Sequence, residues 1–237
     1  MTETEVGADQ GRMSSAEAMS RIDGILGVAG VREGEAHFAS VDLQGGVTSE
    51  VTLARHAGRG GDTYSITLRR PKVNDDGIVE EIVTEHTYRR NDRNQPGEGS
   101  DTEVERVLKA LTVGEINEQL SLRGEMGELM DLATTMGEGH NRVFHTRDGR
   151  RVQVVRSTIL GGDFVLSIYN NEDPGRLDEM VRLRPGRPLE RAYTGSDNKV
   201  LPVALNSKFF PVSDMEVRRY ISTIREAFGP SRRSFSS

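Results

Sequence analysis

The sequence of 237 residues contains no cysteine and no tryptophan, and aromatic residues make up only 5% of it. The absence of cysteine excludes disulfides, thiol catalysis, iron–sulfur clusters and cysteine-ligated zinc. A chain of this length can nevertheless bury a sizeable core without such cross-links. The small number of aromatic side chains also leaves few surfaces on which unpaired nucleic-acid bases could stack.

The sequence also lacks long apolar runs. No segment approaches the ~20 continuous apolar residues of a membrane helix, and residues 1–5 are acidic where a signal peptide would be basic. We therefore expect a cytoplasmic protein without membrane contact. Residues 1–11 and 229–237 lack apolar periodicity and are predicted to be disordered tails.

Lysine is scarce as well, because 27 of the 31 basic residues are arginine. The arginines are spread along the chain in short pairs, and the formal net charge is −6. A nucleic-acid-binding surface needs clustered positive potential. Nucleic-acid binding is therefore the weakest of the functions considered, and its signature would be a steep salt dependence.

One block of sequence that occurs twice predicts two helices. The segment SDTEVERVL at 100–108 reappears as SDMEVRRYI at 213–221, with five of nine positions identical and an offset of 113 residues. In both copies a serine and a glutamate three residues later have the spacing of a capping box. Apolar residues then follow at helical spacing, so each copy predicts the start of a helix.

A second repeated block predicts two β-hairpins. The sequence VTLAR at 51–55, followed by Gly-Gly-Asp at 60–62, recurs as VQVVR at 152–156, followed by Gly-Gly-Asp at 161–163. Alternating apolar residues around a glycine turn are typical of a hairpin. The second copy is more continuously apolar, which predicts a sheet that is covered on both faces.

A helical pattern precedes each hairpin. Ser14 and Thr112 stand at the positions of helix caps. Gly124 and Gly127 are expected to weaken the second of these helices and could break it.

These patterns predict an α+β protein formed by tandem duplication of a unit that contains a helix, three to four antiparallel strands and a second helix. The two copies would be related by a pseudo-twofold axis, as in a fused dimer. We predict a first αβ repeat at 12–112 and a second at 113–228, with an insertion near 170–211 that could add a strand at 199–205. This order of elements resembles, at the level of architecture, the pseudo-dimeric secretion-chaperone-like domains.

The sequence contains no recognisable catalytic motif. Neither a P-loop nor a nucleophile elbow is present. His140 and His145 are weak candidates for a metal site, since residues five apart on a strand point to opposite faces. We therefore predict no cofactor, no metal and no catalytic residue, and an enzyme is less favoured than a binding protein.

Four residues are predicted to contribute to binding. Arg55 and Arg156 recur at corresponding positions in otherwise apolar strands. They could pair with acids or line a groove between the repeats, although a side chain packed along the sheet surface is the plainer role. Phe209 and Phe210 look exposed within the insertion.

The leading hypothesis is a non-enzymatic protein- or peptide-binding module, chaperone- or adaptor-like, that uses a sheet face or the groove between the repeats. Such a protein could act as a monomer or a homodimer. The alternative is a small-ligand binder or an enzyme with its site in the cleft between the repeats, where Arg55, Arg156, His140 or His145 could take part.

Overall fold

The computed structural model describes residues 13–41, 48–76, 78–89, 102–137, 140–157, 162–193 and 208–228. The first helices and strands in chain order are α1 (Ser15–Val28), β1 (Gly34–Val41), β2 (Thr48–His56), β3 (Thr63–Val73), β4 (Val79–Arg89) and α2 (Thr102–Ala110). They are followed by α3 (Val113–Thr135), β5 (Asn141–His145), β6 (Arg151–Arg156), β7 (Phe164–Tyr169), β8 (Leu177–Leu183), β9 (Glu190–Tyr193), β10 (Lys208–Pro211) and α4 (Asp214–Phe228).

The predicted α+β class is confirmed. Within the described ranges the chain forms four helices and two antiparallel sheets. The four-stranded sheet has the order β1-β2-β3-β4, and the six-stranded sheet has the order β10-β9-β8-β7-β6-β5. None of the described helices is long and apolar enough to cross a membrane.

The helix starts follow the predicted caps where they can be seen. The Ser14 side chain accepts the backbone N–H of Glu17, and the Glu17 side chain reaches back to the N–H of Ser14. Ser213 and Glu216 form the same reciprocal pair before α4, and Thr112 caps α3. The serine at position 100 lies outside the described residues.

Gly124 and Gly127 do not break helix α3, an outcome that the sequence left open. Helix α3 runs unbroken from Val113 to Thr135 through both Gly124 and Gly127. Each glycine costs about 1 kcal/mol relative to alanine in a helix interior. Packing outweighs that cost, because α3 contacts α1, α4 and three strands, and Met126 and Met130 are fully buried.

Each sheet packs one face against helices. The face of the four-stranded sheet that carries Phe38, Leu53 and Ile66 packs against α1 and α2. In the six-stranded sheet Val154 and Leu166 pack against α3 and α4. Burial alternates along β6 and β7, so the predicted full cover on both faces is not seen. Among the described residues, the opposite face carries a smaller cluster, formed by Leu177, Met180 and Ala192 with partly buried neighbours.

The connection between α2 and α3 is short, with positions 111 and 112 between the two helices. The strand expected at 199–205 lies outside the described residues. Strands β9 and β10, on either side of that segment, extend the second sheet beyond the four strands of the first.

Candidate functional site

The two sheets meet at a group of charged side chains, here called the inter-sheet arginine cluster. It consists of Arg69 on β3, Arg182 on β8, Arg184 and Arg187 between β8 and β9, and the carboxylates of Glu50 on β2 and Glu190 on β9. Both glutamates are almost fully buried, with 2% and 1% exposure.

Arg69 joins the two sheets directly. Its Nε donates to Glu50 Oε2 at 2.6 Å, and its Nη2 donates to Glu190 Oε1 at 2.7 Å. Its Nη1 donates to the backbone oxygen of Phe209 at 3.1 Å. One guanidinium therefore links the four-stranded sheet to two strands of the six-stranded sheet.

Glu190 accepts from three arginines. Besides Arg69, Arg184 Nη2 donates to it at 2.6 Å, and Arg182 donates through Nε at 3.1 Å and Nη2 at 2.8 Å. Glu50 accepts from Arg187 Nη1 at 2.9 Å as well as from Arg69. Burial alone would raise the pKa of Glu50, but the neighbouring guanidinium groups outweigh it and hold the pKa below its usual value.

Strand register and a tight turn place these side chains. Glu50 is the direct cross-strand partner of Arg69, and Arg182 that of Glu190; opposite charges at such positions stabilise a sheet. Arg184 and Arg187 are the ends of a turn closed by the N–H of Arg187 and the oxygen of Arg184 at 3.1 Å. The second residue of this turn is a proline, and the third, Gly186, has a φ of 71°. This combination is typical of a type II turn.

The prediction that Phe209 and Phe210 are exposed is wrong. Phe210 is fully buried, and Phe209 is partly buried against the small cluster on the open sheet face. Arg69 stacks over the Phe210 ring at 5.3 Å, and Arg182 over the Phe209 ring at 4.3 Å. Both rings belong to β10, so they support the inter-sheet arginine cluster rather than a free surface.

Arg55 pairs with acids, one of the two roles considered for it. Its Nη1 lies 2.7 Å from Asp23 on α1, and its Nη2 lies 2.7 Å from Asp62 in the β2–β3 turn. These residues and Tyr64 line a cleft of about 440 Å³ beside α1. The cleft lies within the first half of the chain, on the α1 side of the four-stranded sheet.

The other predicted residues do not converge with Arg55. Arg156 is exposed at the end of β6, where its guanidinium stacks over Phe164 at 5.2 Å. His140 and His145 are both exposed at the two ends of β5. Among the described residues no group of three or more histidine and carboxylate side chains is placed to hold a metal ion.

Helix α3 covers the free edge of β1. The Gln119 amide donates to the backbone oxygen of Ala39 at 2.7 Å and accepts the N–H of Ala39 at 2.9 Å. One turn further along, Arg123 Nη2 donates to the backbone oxygen of His37 at 2.9 Å. Burial lowers the pKa of Arg123 to about 10. These side chains satisfy backbone groups that an additional strand would otherwise pair.

We expect replacement of Gln119 by leucine to lower the free energy of unfolding by about 2–3 kcal/mol, because two buried backbone groups of Ala39 lose their partners. Urea unfolding measures this change, and hydrogen exchange at the Ala39 amide should accelerate. Gln153→Leu is the control, since Gln153 bonds only to side chains on the sheet surface. Equal effects of the two variants would contradict the role given to Gln119.

Strand β4 forms the other edge of the same sheet and differs from β1. It is 11 residues long, and the sheet order ends with it. The side chains of Glu80, Glu81, Val83 and Glu85 are exposed along it, Val83 at 56%. Within the described residues no strand pairs with this outer edge.

The inter-sheet arginine cluster was not predicted from the sequence. A glutamate within a strand pattern is usually predicted to be exposed to solvent. No sequence motif connects Glu50 with Glu190, which lies 140 positions later. The only available signal was the spacing of arginines around a Pro-Gly turn at 182–187. No protein-family model matches the chain, and no curated protein or solved structure matches it significantly.

Proposed function

We propose that this chain is a non-enzymatic peptide-binding protein that takes up an extended segment of its partner along the outer edge of β4. The observation that carries the proposal is the contrast between the two edges of the four-stranded sheet. The β1 edge is capped by Gln119 and Arg123, whereas the β4 strand is 11 residues long and exposes Glu80, Glu81, Val83 and Glu85. Natural proteins usually shorten or cover such edges, since they readily pair with another strand.

We further infer that the two halves of the chain are copies of one unit. Both begin with a helix and a four-stranded meander and end with a helix, and the second adds β9 and β10 before its last helix. The Gly-Gly-Asp blocks fall in the corresponding hairpins β2–β3 and β6–β7. Gly61 and Gly162 of those blocks both have positive φ. In this comparison β4 corresponds to β8.

The comparison of β4 with β8 supports strand addition. The outer edge of β8 pairs with β9, and β9 pairs with β10. The outer edge of β4, with which no described strand pairs, therefore corresponds to the edge of β8 at which β9 and β10 are added. A partner segment on β4 would reproduce the arrangement that the chain itself makes next to β8.

Charge indicates which segment would fit. Positions 12–112 contain 17 acidic and 13 basic residues, which makes this half more acidic than the rest of the chain. On β4, Glu81 and Glu85 flank Val83 on one face, and Glu80 lies on the other. Basic residues opposite the glutamates would be favourable cross-strand neighbours. We therefore expect an extended segment in which basic and apolar residues alternate.

A fluorescently labelled peptide of alternating lysine and valine tests this proposal. We expect saturable binding by fluorescence anisotropy, with slower hydrogen exchange in β4. A peptide of identical side chains with N-methylated backbone amides should bind at least about tenfold more weakly, since strand addition depends on main-chain hydrogen bonds. The charge-reversed variant Glu80→Lys/Glu85→Lys should lose binding, whereas Glu128→Lys/Glu172→Lys, at exposed sites outside this edge, should retain it.

Equal binding of the N-methylated peptide would overturn the proposal, as would protection that appears elsewhere in the chain. Loss of binding in both charge-reversed variants would show that net charge alone attracts the probe. Absence of saturable binding by the unmodified peptide would also count against a β4 docking edge.

A further inference from the structure

The inter-sheet arginine cluster has more positive charge than its carboxylates neutralise. Four guanidinium groups face the two buried glutamates. A third carboxylate, Glu81, approaches Arg69 Nη1 at 3.6 Å from a partly exposed position. His37, which lies 3.6 Å from Glu50, does not add a charge at neutral pH, because burial and the nearby Arg187 lower its pKa.

The same cluster has a surplus of hydrogen-bond donors. Each guanidinium carries five N–H groups, so the four arginines offer about twenty. Seven hydrogen bonds from these side chains reach Glu50, Glu190 and the oxygen of Phe209. The Nε of Arg184 is buried and has no hydrogen-bond partner. A buried donor of this kind is costly to leave unpaired.

The four arginine side chains are partly exposed, so a ligand can contact them, and their positions are fixed by neighbouring groups. Their side chains are between 19% and 33% exposed. Glu50 and Glu190 hold them from the buried side, and the turn at 184–187 fixes Arg184 and Arg187 close together. Guanidinium groups held in this way are suited to bidentate contacts with tetrahedral oxyanions.

We propose that the inter-sheet arginine cluster binds an oxyanion of the phosphate class. Its oxygens accept from the remaining N–H groups of Arg184, Arg187 and Arg182, and its charge offsets the excess of guanidinium over carboxylate. Because the cluster joins β2 and β3 to β8 and β9, the bound anion also strengthens the contact between the two sheets. This site is separate from the β4 edge, so phosphate binding can be tested independently of peptide binding.

Titration of the full chain with inorganic phosphate, followed by isothermal calorimetry at constant ionic strength, tests the proposal. We expect saturable binding of one phosphate per chain and a shift of the Arg184 Nε–H resonance in nitrogen-15 NMR spectra. Glycerol 3-phosphate tests whether a phosphomonoester enters, and succinate tests a dicarboxylate of equal charge. If phosphate binds and the ester does not, the site is specific for the free anion. If both bind, the site accepts phosphate groups in general.

The variant Arg184→Gln/Arg187→Gln should weaken phosphate binding at least about tenfold. Arg142→Gln/Arg176→Gln removes the same charge from positions outside the cluster and should bind as the parent does. Arg187→Lys keeps the charge and should show an intermediate affinity, which separates loss of the site from loss of folding. Near-UV circular dichroism checks that each variant is folded.

The proposal is wrong if phosphate fails to saturate at millimolar concentration in the folded parent chain. It is equally wrong if the matched control loses affinity as much as the Arg184/Arg187 variant does. Succinate binding as tight as phosphate binding would overturn the assignment to the phosphate class.

Discussion

Replacement of Glu190 by glutamine is expected to lower the free energy of unfolding by about 3–5 kcal/mol, because it leaves several partly buried guanidinium groups without their carboxylate. Glu190 is 1% exposed and accepts from Arg69, Arg182 and Arg184. Glutamine keeps the shape of the side chain, so the change isolates the charge. Urea unfolding at neutral pH measures the effect.

The control for this prediction is Glu226→Gln, which removes a carboxylate whose arginine partner is exposed. The partner of Glu226, Arg147, is 88% exposed, and such pairs contribute at most about 1 kcal/mol. In the double variant Glu190→Gln/Arg184→Gln part of the stability should return, since one unpaired guanidinium is removed with the carboxylate. A loss for Glu190→Gln as small as that for Glu226→Gln would contradict the buried network.

Replacement of Phe210 by alanine is expected to destabilise the protein by about 3–5 kcal/mol, the usual cost of deleting a fully buried aromatic ring. Phe210 is fully buried, and its ring supports the guanidinium of Arg69. The change therefore removes packing and weakens the contact between the sheets at the same time. Thermal and urea unfolding both report it.

The neighbouring variant Phe209→Ala is the matched control. Phe209 is only partly buried, so its loss should cost about 1–2 kcal/mol, from less buried area and from the stacking of Arg182. Equal and small losses of unfolding free energy in the two variants would support the prediction that both rings are exposed binding residues. A large loss confined to Phe210→Ala would support its place in the interior.

The two proposed sites divide the chain into surfaces with different chemistry. The β4 edge is acidic and has no covering element among the described residues. The inter-sheet arginine cluster is rich in positive charge and partly enclosed. A cationic peptide and a phosphate-class anion would therefore select different parts of the same molecule, and each can be titrated without the other.

Local patterns in the sequence were sufficient for the helix starts, the hairpins and the fold class. Ser14 and Glu17 satisfy backbone groups within one turn, and alternation along β2 and β3 decides which side chains face α1. Such features depend on neighbours a few residues away, so they can be predicted without knowledge of the rest of the chain. Whether α3 would break was not decided locally, since long-range packing compensates for Gly124 and Gly127.

The sequence by itself determined the α+β class, the capping boxes and the alternating strands, because these are set by propensities and short spacings. The tertiary structure alone decided that Glu50 and Glu190 share Arg69, that Gln119 closes the edge of β1 and that Phe210 is buried. The contacts of Gln119 with Ala39 and of Arg69 with Glu190 and Phe209 join residues 80 to 140 positions apart. Their formation depends on how the two sheets meet, and no local spacing encodes that geometry.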